Sequence, residues 1–345
     1  MRELTSRSEF IDVCKGIGIL CVYYGHTAMG GTLPSRMIFS FHMPLFFMIS
    51  GVLFDVKKIE NFKTLLVKVA RNLLIPYCLF EIIGYIARGD VLLRWHQPIH
   101  EIVRLLHGTG YAESAWFLMC LMSVQIIAWL FFRYIVSYIR CSKIITIIIL
   151  MFICMGIAHV ICWHAPRKLI SHLPFMLGSV PAAIIFFMFG NILKNQVLYI
   201  GNANMKTWAT ISLLVMLICA FCFTSNIMRG TFSLVRPLFH ISVMPSCMLG
   251  IAAVLLFSKI MMSLSMVRKF LSSIGERSLY LFALELPLSF VVDRLSHGYL
   301  PFPCWSVQHV LHVEPIRILS ILALAWFCSY PTMWLLGKFR RLLHV

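Results

Sequence analysis

The chain has 345 residues, of which 60% are hydrophobic and 12% charged, and its mean hydropathy of +0.87 exceeds what a soluble core of this length buries. Its formal charge of +17 does not point to nucleic acid, because the basic residues flank apolar runs, where insertion topology and anionic headgroups account for them. Membrane lipid is therefore the expected partner and nucleic acid is not.

Runs long enough to cross about 30 Å of hydrocarbon predict an all-α polytopic membrane protein with about ten transmembrane helices. They fall near residues 10–30, 37–55, 65–87, 115–134, 143–163, 174–193, 207–224, 238–257, 274–292 and 316–338. Under an even count, most Lys and Arg lie on the side that holds the N-terminus, which predicts cytoplasmic N- and C-termini. The first run lacks a small-residue cleavage site and is expected to stay as a span. No run of soluble-domain composition separates the others, so residues 1–345 read as one membrane-embedded domain. The 12 cysteines are scattered, mostly within apolar runs and without CxxC spacing, so they read as small core residues; no metal site is expected. Loops near 88–114 and 293–315 mix His, Trp, Tyr and charged residues, which suits either an interfacial belt or carbohydrate contact.

Within the first run, Asp12, Lys15 and His26 fall on one helical face. The step from Lys15 to His26 returns to within roughly 20° of the same direction and climbs about 16 Å. Charges inside a bilayer are costly, so this seam faces a protein interior or a cavity. His26 has the chemistry of a general base if a buried, neutral imidazole accepts a proton from a hydroxyl; a histidine satisfied by a neighbouring helix is the other reading. Lys15 is either an anion-binding cation or one half of an ion pair with Asp12.

The second run carries Phe41-His42-Met43-Pro44 followed by Leu45-Phe46-Phe47-Met48-Ile49-Ser50-Gly51. Pro44 is read as a kink or first-turn residue, and Ser50-Gly51 as a close helix contact. His42 lies a short loop from His26, so two imidazoles can share one substrate hydroxyl, and Arg36 stands in the connection between them. Lys68 and Arg71 sit one turn apart ahead of Pro76-Tyr77, as either an anion patch or ordinary flanking charge. Trp116 opens the fourth run, and Glu285 stands inside the ninth, where a carboxylate is paired, protonated or functional.

At these residues the chain resembles the membrane-embedded acyltransferase family 3, the O-acetyltransferases of bacterial surface carbohydrates. Lys15 and His26 match its basic residue, ten positions and histidine; Phe41 through Gly51, with Pro44, Phe46, Phe47, Ser50 and Gly51, match its second motif. Lys68, Arg71, Pro76 and Tyr77 match a basic pair before Pro-Tyr; Trp116-Phe117-Leu118 and residues 274–280 match later segments. Glu285 stands where many relatives have histidine. The resemblance implies an acyltransferase of the bacterial inner membrane. Acetyl-CoA is the implied acyl donor and co-substrate, with no permanently bound cofactor, and a lipid-linked or polymeric carbohydrate hydroxyl is the acceptor. It implies catalysis at Asp12, Lys15, His26 and His42, with His26 as base or transient acyl carrier. Donor phosphates would bind Lys15, Lys68 and Arg71, and the acceptor Arg36, Trp116 and Glu285. The reading from another class is a proton-coupled transporter, which uses the same residue types within its spans.

Overall fold

A computed structural model describes residues 8–27, 33–88, 98–108, 115–136, 142–164, 173–203, 207–227, 243–296 and 314–342, and these are helical almost throughout. The helices are α1 (Glu9–Thr27), α2 (Leu33–Leu53), α3 (Phe62–Val69), α4 (Ile75–Arg88), α5 (Pro98–His107), α6 (Trp116–Leu130) and α7 (Lys143–His164). They continue with α8 (Val180–Ile192), α9 (Lys194–Asn202), α10 (Thr207–Ile227), α11 (Met244–Met261), α12 (Ser265–Glu276), α13 (Ser278–Ser296) and α14 (Glu314–Leu342).

The number of membrane-crossing helices is smaller than the hydropathy runs predict. Among the described residues five helices are long and apolar enough to cross a membrane, or six if α8 and α9, bent by 58° at their junction, count as one broken span. The expectation of about ten spans is thus corrected, and the cytoplasmic placing of both termini that rested on it goes with it. The physical reasons are local. Glu9, Asp12 and Lys15 occupy the first two turns of α1. The run near 65–87 is divided by a π-helical stretch, Ala70–Leu74, into helices of 8 and 14 residues. Glu285, Asp293 and Arg294 lie within α13.

The chain divides into two compact units. The first comprises Met1–Phe54, Phe186–Ser233 and Leu238–Ser278. Its centre is α1 and α2, and every residue from Ser40 to Ile49 is buried. Two reciprocal glycine contacts bring backbones together there. A Cβ on Gly51 would lie 1.8 Å from the Phe187 carbonyl oxygen, and one on Gly190 2.0 Å from that of Met48, so α2 and α8 cross with no side chain between them. Gly16 and Gly275 do the same for α1 and α12, against the carbonyls of Leu271 and Asp12. Polar bonds complete this unit: Asn191 donates to the carbonyls of Gly51 and Phe54, where α2 has run out of intrahelical donors. A buried hydroxyl ladder joins Ser225 to Ser246 at 2.8 Å and Ser246 to Ser40 at 3.5 Å.

The second unit comprises Asp55–Ile185, Leu234–Pro237 and Leu279–Val345. Asn61 caps α3 by accepting from the Thr64 amide at 2.8 Å, and the Trp129 indole donates to the Ile59 carbonyl at 3.2 Å. Phe117 meets Phe282 and Phe80 meets Tyr280 edge to face. Helices α7 and α14 leave rows of Ile, Leu, Phe and Trp exposed, among them Ile144, Ile148, Phe152, Leu319, Phe327 and Trp334, as lipid-facing helices do.

Candidate functional site

The predicted seam lies on one unbroken helix. Asp12 is 2% exposed, and its Oδ1 accepts from Lys15 Nζ at 3.1 Å, one turn further along α1. Of the two readings of Lys15, the ion pair is therefore realised; the ammonium keeps 21% of its side-chain surface and can also face an anion. Its neighbours in sequence, Val13, Cys14, Gly16 and Ile17, are buried.

The far end of α1 carries His26. It is exposed rather than buried, because it sits in the last turn, where α1 gives way to the connection into α2. The buried imidazole is instead that of His42, 4% exposed in α2. The two rings meet edge to face with centroids 6.5 Å apart. Phe39 touches both, 5.3 Å from the ring of His42 and 6.0 Å from that of His26. His42 Nδ1 lies 2.8 Å from the Ile38 carbonyl oxygen, one turn back on α2. A carbonyl only accepts, so Nδ1 carries a proton, and in the neutral form of the ring Nε2 is the acceptor.

Arg36 precedes Phe39 by one turn on α2 and is half-buried; its Nε is buried and has no hydrogen-bond partner among the described residues. Pro44, Phe46, Phe47 and Gly51 are buried in the same helix, and Ser50 is half-buried. Pro44 lies inside α2 and not in its first turn. The motif around it is the helix-packing surface that holds His42 in register.

The remaining predicted residues belong to the second unit. Lys68 is half-buried near the end of α3, and Arg71 is exposed in the π-helical stretch that follows. A regular helix would set them on one face, but the wider turn intervenes between them, and π-turns of this kind recur at functional positions. Tyr77, from the same motif, donates its hydroxyl to the Leu105 carbonyl at 2.8 Å. Trp116 opens α6 and is 6% exposed; Glu285 is 1% exposed within α13. Among the described residues no three His, Cys, Asp or Glu side chains come together as a metal site requires.

Phe39 was not singled out by sequence reasoning, although it belongs to this cluster. Its signal is its place in Phe39-Ser40-Phe41-His42, three residues before the histidine and so on the adjoining face of the same helix.

An all-helical, multi-pass membrane protein whose buried first helix carries a cation at one end and a histidine at the other is the class that fold and site define. Within that class the chain belongs to the acyltransferase 3 family: its model, described as an acyltransferase domain, matches residues 8–334. The protein is therefore an acyltransferase-family membrane protein, and the transporter reading gives way to that assignment. No curated protein and no solved structure shows significant similarity to it.

Proposed function

We propose that this protein moves an acetyl group from acetyl-CoA to a hydroxyl of a lipid-linked or cell-surface carbohydrate in a bacterial inner membrane. The observation that carries the reading is the imidazole pair at the junction of α1 and α2, with His26 open to solvent and His42 held in one tautomer by Ile38. An acceptor hydroxyl reaching His26 gives its proton to the imidazole while its oxygen attacks the thioester carbonyl carbon. The tetrahedral intermediate then breaks its carbon–sulfur bond, and the departing CoA thiolate takes the proton back from the imidazolium. The products are an ester and CoA. In the covalent variant the His26 nitrogen attacks first and the carbon–sulfur bond breaks, the CoA thiolate leaving with the imidazole proton; the hydroxyl oxygen then takes the acyl group from the acetyl-imidazole and its proton returns to the imidazole. His42 Nε2, buried and proton-accepting, orients His26 or the acceptor hydroxyl; Asp12 holds Lys15 in place.

Donor phosphates call for cations with room to approach them. Lys15, Lys68 and Arg71 are half-buried or exposed, which supports that role for each. Trp116 and Glu285 are almost wholly buried, so their part in binding an acceptor is the weakest of the assignments.

The test is incubation of the purified protein with labelled acetyl-CoA and a cell-envelope glycolipid extract. Label appearing in the extract in an alkali-labile ester is the expected result. Absence of transfer to any fraction would overturn the reading.

A further inference from the structure

We propose that Arg36 recognises an anionic group, a carboxylate or a phosphate monoester, carried by the acceptor close to the hydroxyl that receives the acyl group. This names the substrate class of the site above and rests on the acyl-transfer reading.

A guanidinium stays ionised and needs counter-charge when it is taken out of water. The described carboxylates of the first unit are Glu9, Asp12 and Glu276. Glu9 pairs with Arg268 at 3.3 Å and Asp12 with Lys15 at 3.1 Å, both in the first two turns of α1. Glu276 follows Gly275, which packs on the Asp12 carbonyl, so it belongs to the same end. Arg36 is at the other end. Gly25, next to His26, packs on Ile38, and the His26 ring lies against Phe39, one turn from Arg36 on α2. From Asp12 to His26 is fourteen residues of continuous helix, about 21 Å. No described carboxylate of this unit therefore shares the end of α1 at which Arg36 stands, and its Nε remains buried without a hydrogen-bond partner among the described residues.

A guanidinium in that state, one helical turn from an aromatic ring that lies against an exposed imidazole, is built for an incoming anion. Its planar fork matches a carboxylate or a phosphate in two parallel bonds, and a neutral hydroxyl uses only part of it. Seated on Arg36, such a group holds the neighbouring hydroxyl beside His26. The anion is either part of the acceptor or belongs to a lipid headgroup that never reacts. The proposal commits to the acceptor.

The test uses the full-length protein in phosphatidylcholine vesicles, labelled acetyl-CoA and three portions of one envelope glycolipid extract. One portion is untreated. In the second, carbodiimide and methylamine convert carboxylates to neutral amides; in the third, phosphatase removes phosphate monoesters. Wild-type transfer is expected to fall about tenfold or more on the second or the third portion, which also identifies the anion. Arg36→Met is expected to raise KM for the untreated acceptor about tenfold with kcat within about threefold, and Arg36→Lys to restore part of the loss. Equal wild-type transfer to all three portions overturns the proposal and needs no variant, so a poorly folding Arg36→Met does not protect it. An unchanged acceptor KM in Arg36→Met overturns it as well. So does an Arg36 effect that appears only when phosphatidylglycerol is added to the vesicles, which assigns the cation to a headgroup. Wild-type protein that transfers no label to any portion overturns the acyl-transfer reading and this one with it, an outcome distinct from the others.

Discussion

The two imidazoles close together have different roles in the proposed transfer, and substitutions at each separate those roles. His42 donates through Nδ1 to Ile38 and presents Nε2 as an acceptor. Asparagine keeps a donor near the Nδ1 position and has nothing at Nε2. If the acceptor nitrogen serves the reaction, His42→Asn loses as much transfer as His42→Ala, about 10²-fold; if His42 is only a packing residue, His42→Asn retains wild-type rates in a label-transfer assay. At the other end of the seam, Lys15→Met removes the cation that pairs at 3.1 Å with the Asp12 carboxylate, which is 2% exposed. Losing the partner of a buried ion costs up to roughly 3–5 kcal/mol, so the unfolding midpoint in detergent should drop clearly for Lys15→Met and much less for the double variant Asp12→Asn/Lys15→Met. These residues were legible in the sequence because charge inside an apolar run is conspicuous. Phe39 was less so, since its place one turn before His42 marks it only once the neighbouring helix sets a second histidine against it.

Helix contacts explain why the motif around Pro44 is tied to the site. Ser50-Gly51 was read as a close contact, and the structure supplies its partner, Gly190 on α8, with a reciprocal approach of backbone to carbonyl. A methyl at either glycine has only backbone to push against, so Gly51→Ala and Gly190→Ala should each destabilise by about 1–3 kcal/mol or more. Gly156 and Gly337 have nothing within 4 Å of a Cβ, so Gly156→Ala and Gly337→Ala should be neutral or stabilise by about 1 kcal/mol through helix propensity. Thermal unfolding of the four variants in one detergent checks the contrast. The Lys68–Arg71 pair shows what sequence spacing misses: three residues mean one face only in a regular α-helix, and the π-helical stretch from Ala70 breaks that rule. Nothing in the residue types of Ala70-Arg71-Asn72-Leu73-Leu74 announces the wider turn.

At the scale of the whole molecule, composition made the all-helical membrane class plain, while the number of spans was not readable from hydropathy alone. Apolar runs count equally whether a helix faces lipid or is enclosed by other helices, and only the former must be long and uncharged throughout. Helix α1 is the case in point: its apolar residues from Phe10 to Ile19 are buried by protein, and Asp12 and Lys15 lie among them. The match to the acyltransferase model over residues 8–334 places the whole of this helical assembly in one family. The proposed transfer stands on His26, and the direct measurement is acetyl transfer from labelled acetyl-CoA to envelope glycolipid by wild type and by His26→Ala, at matched amounts of folded protein. The account predicts a loss of about 10²–10⁴-fold in His26→Ala with the unfolding midpoint unchanged. Equal transfer by the two proteins would contradict it.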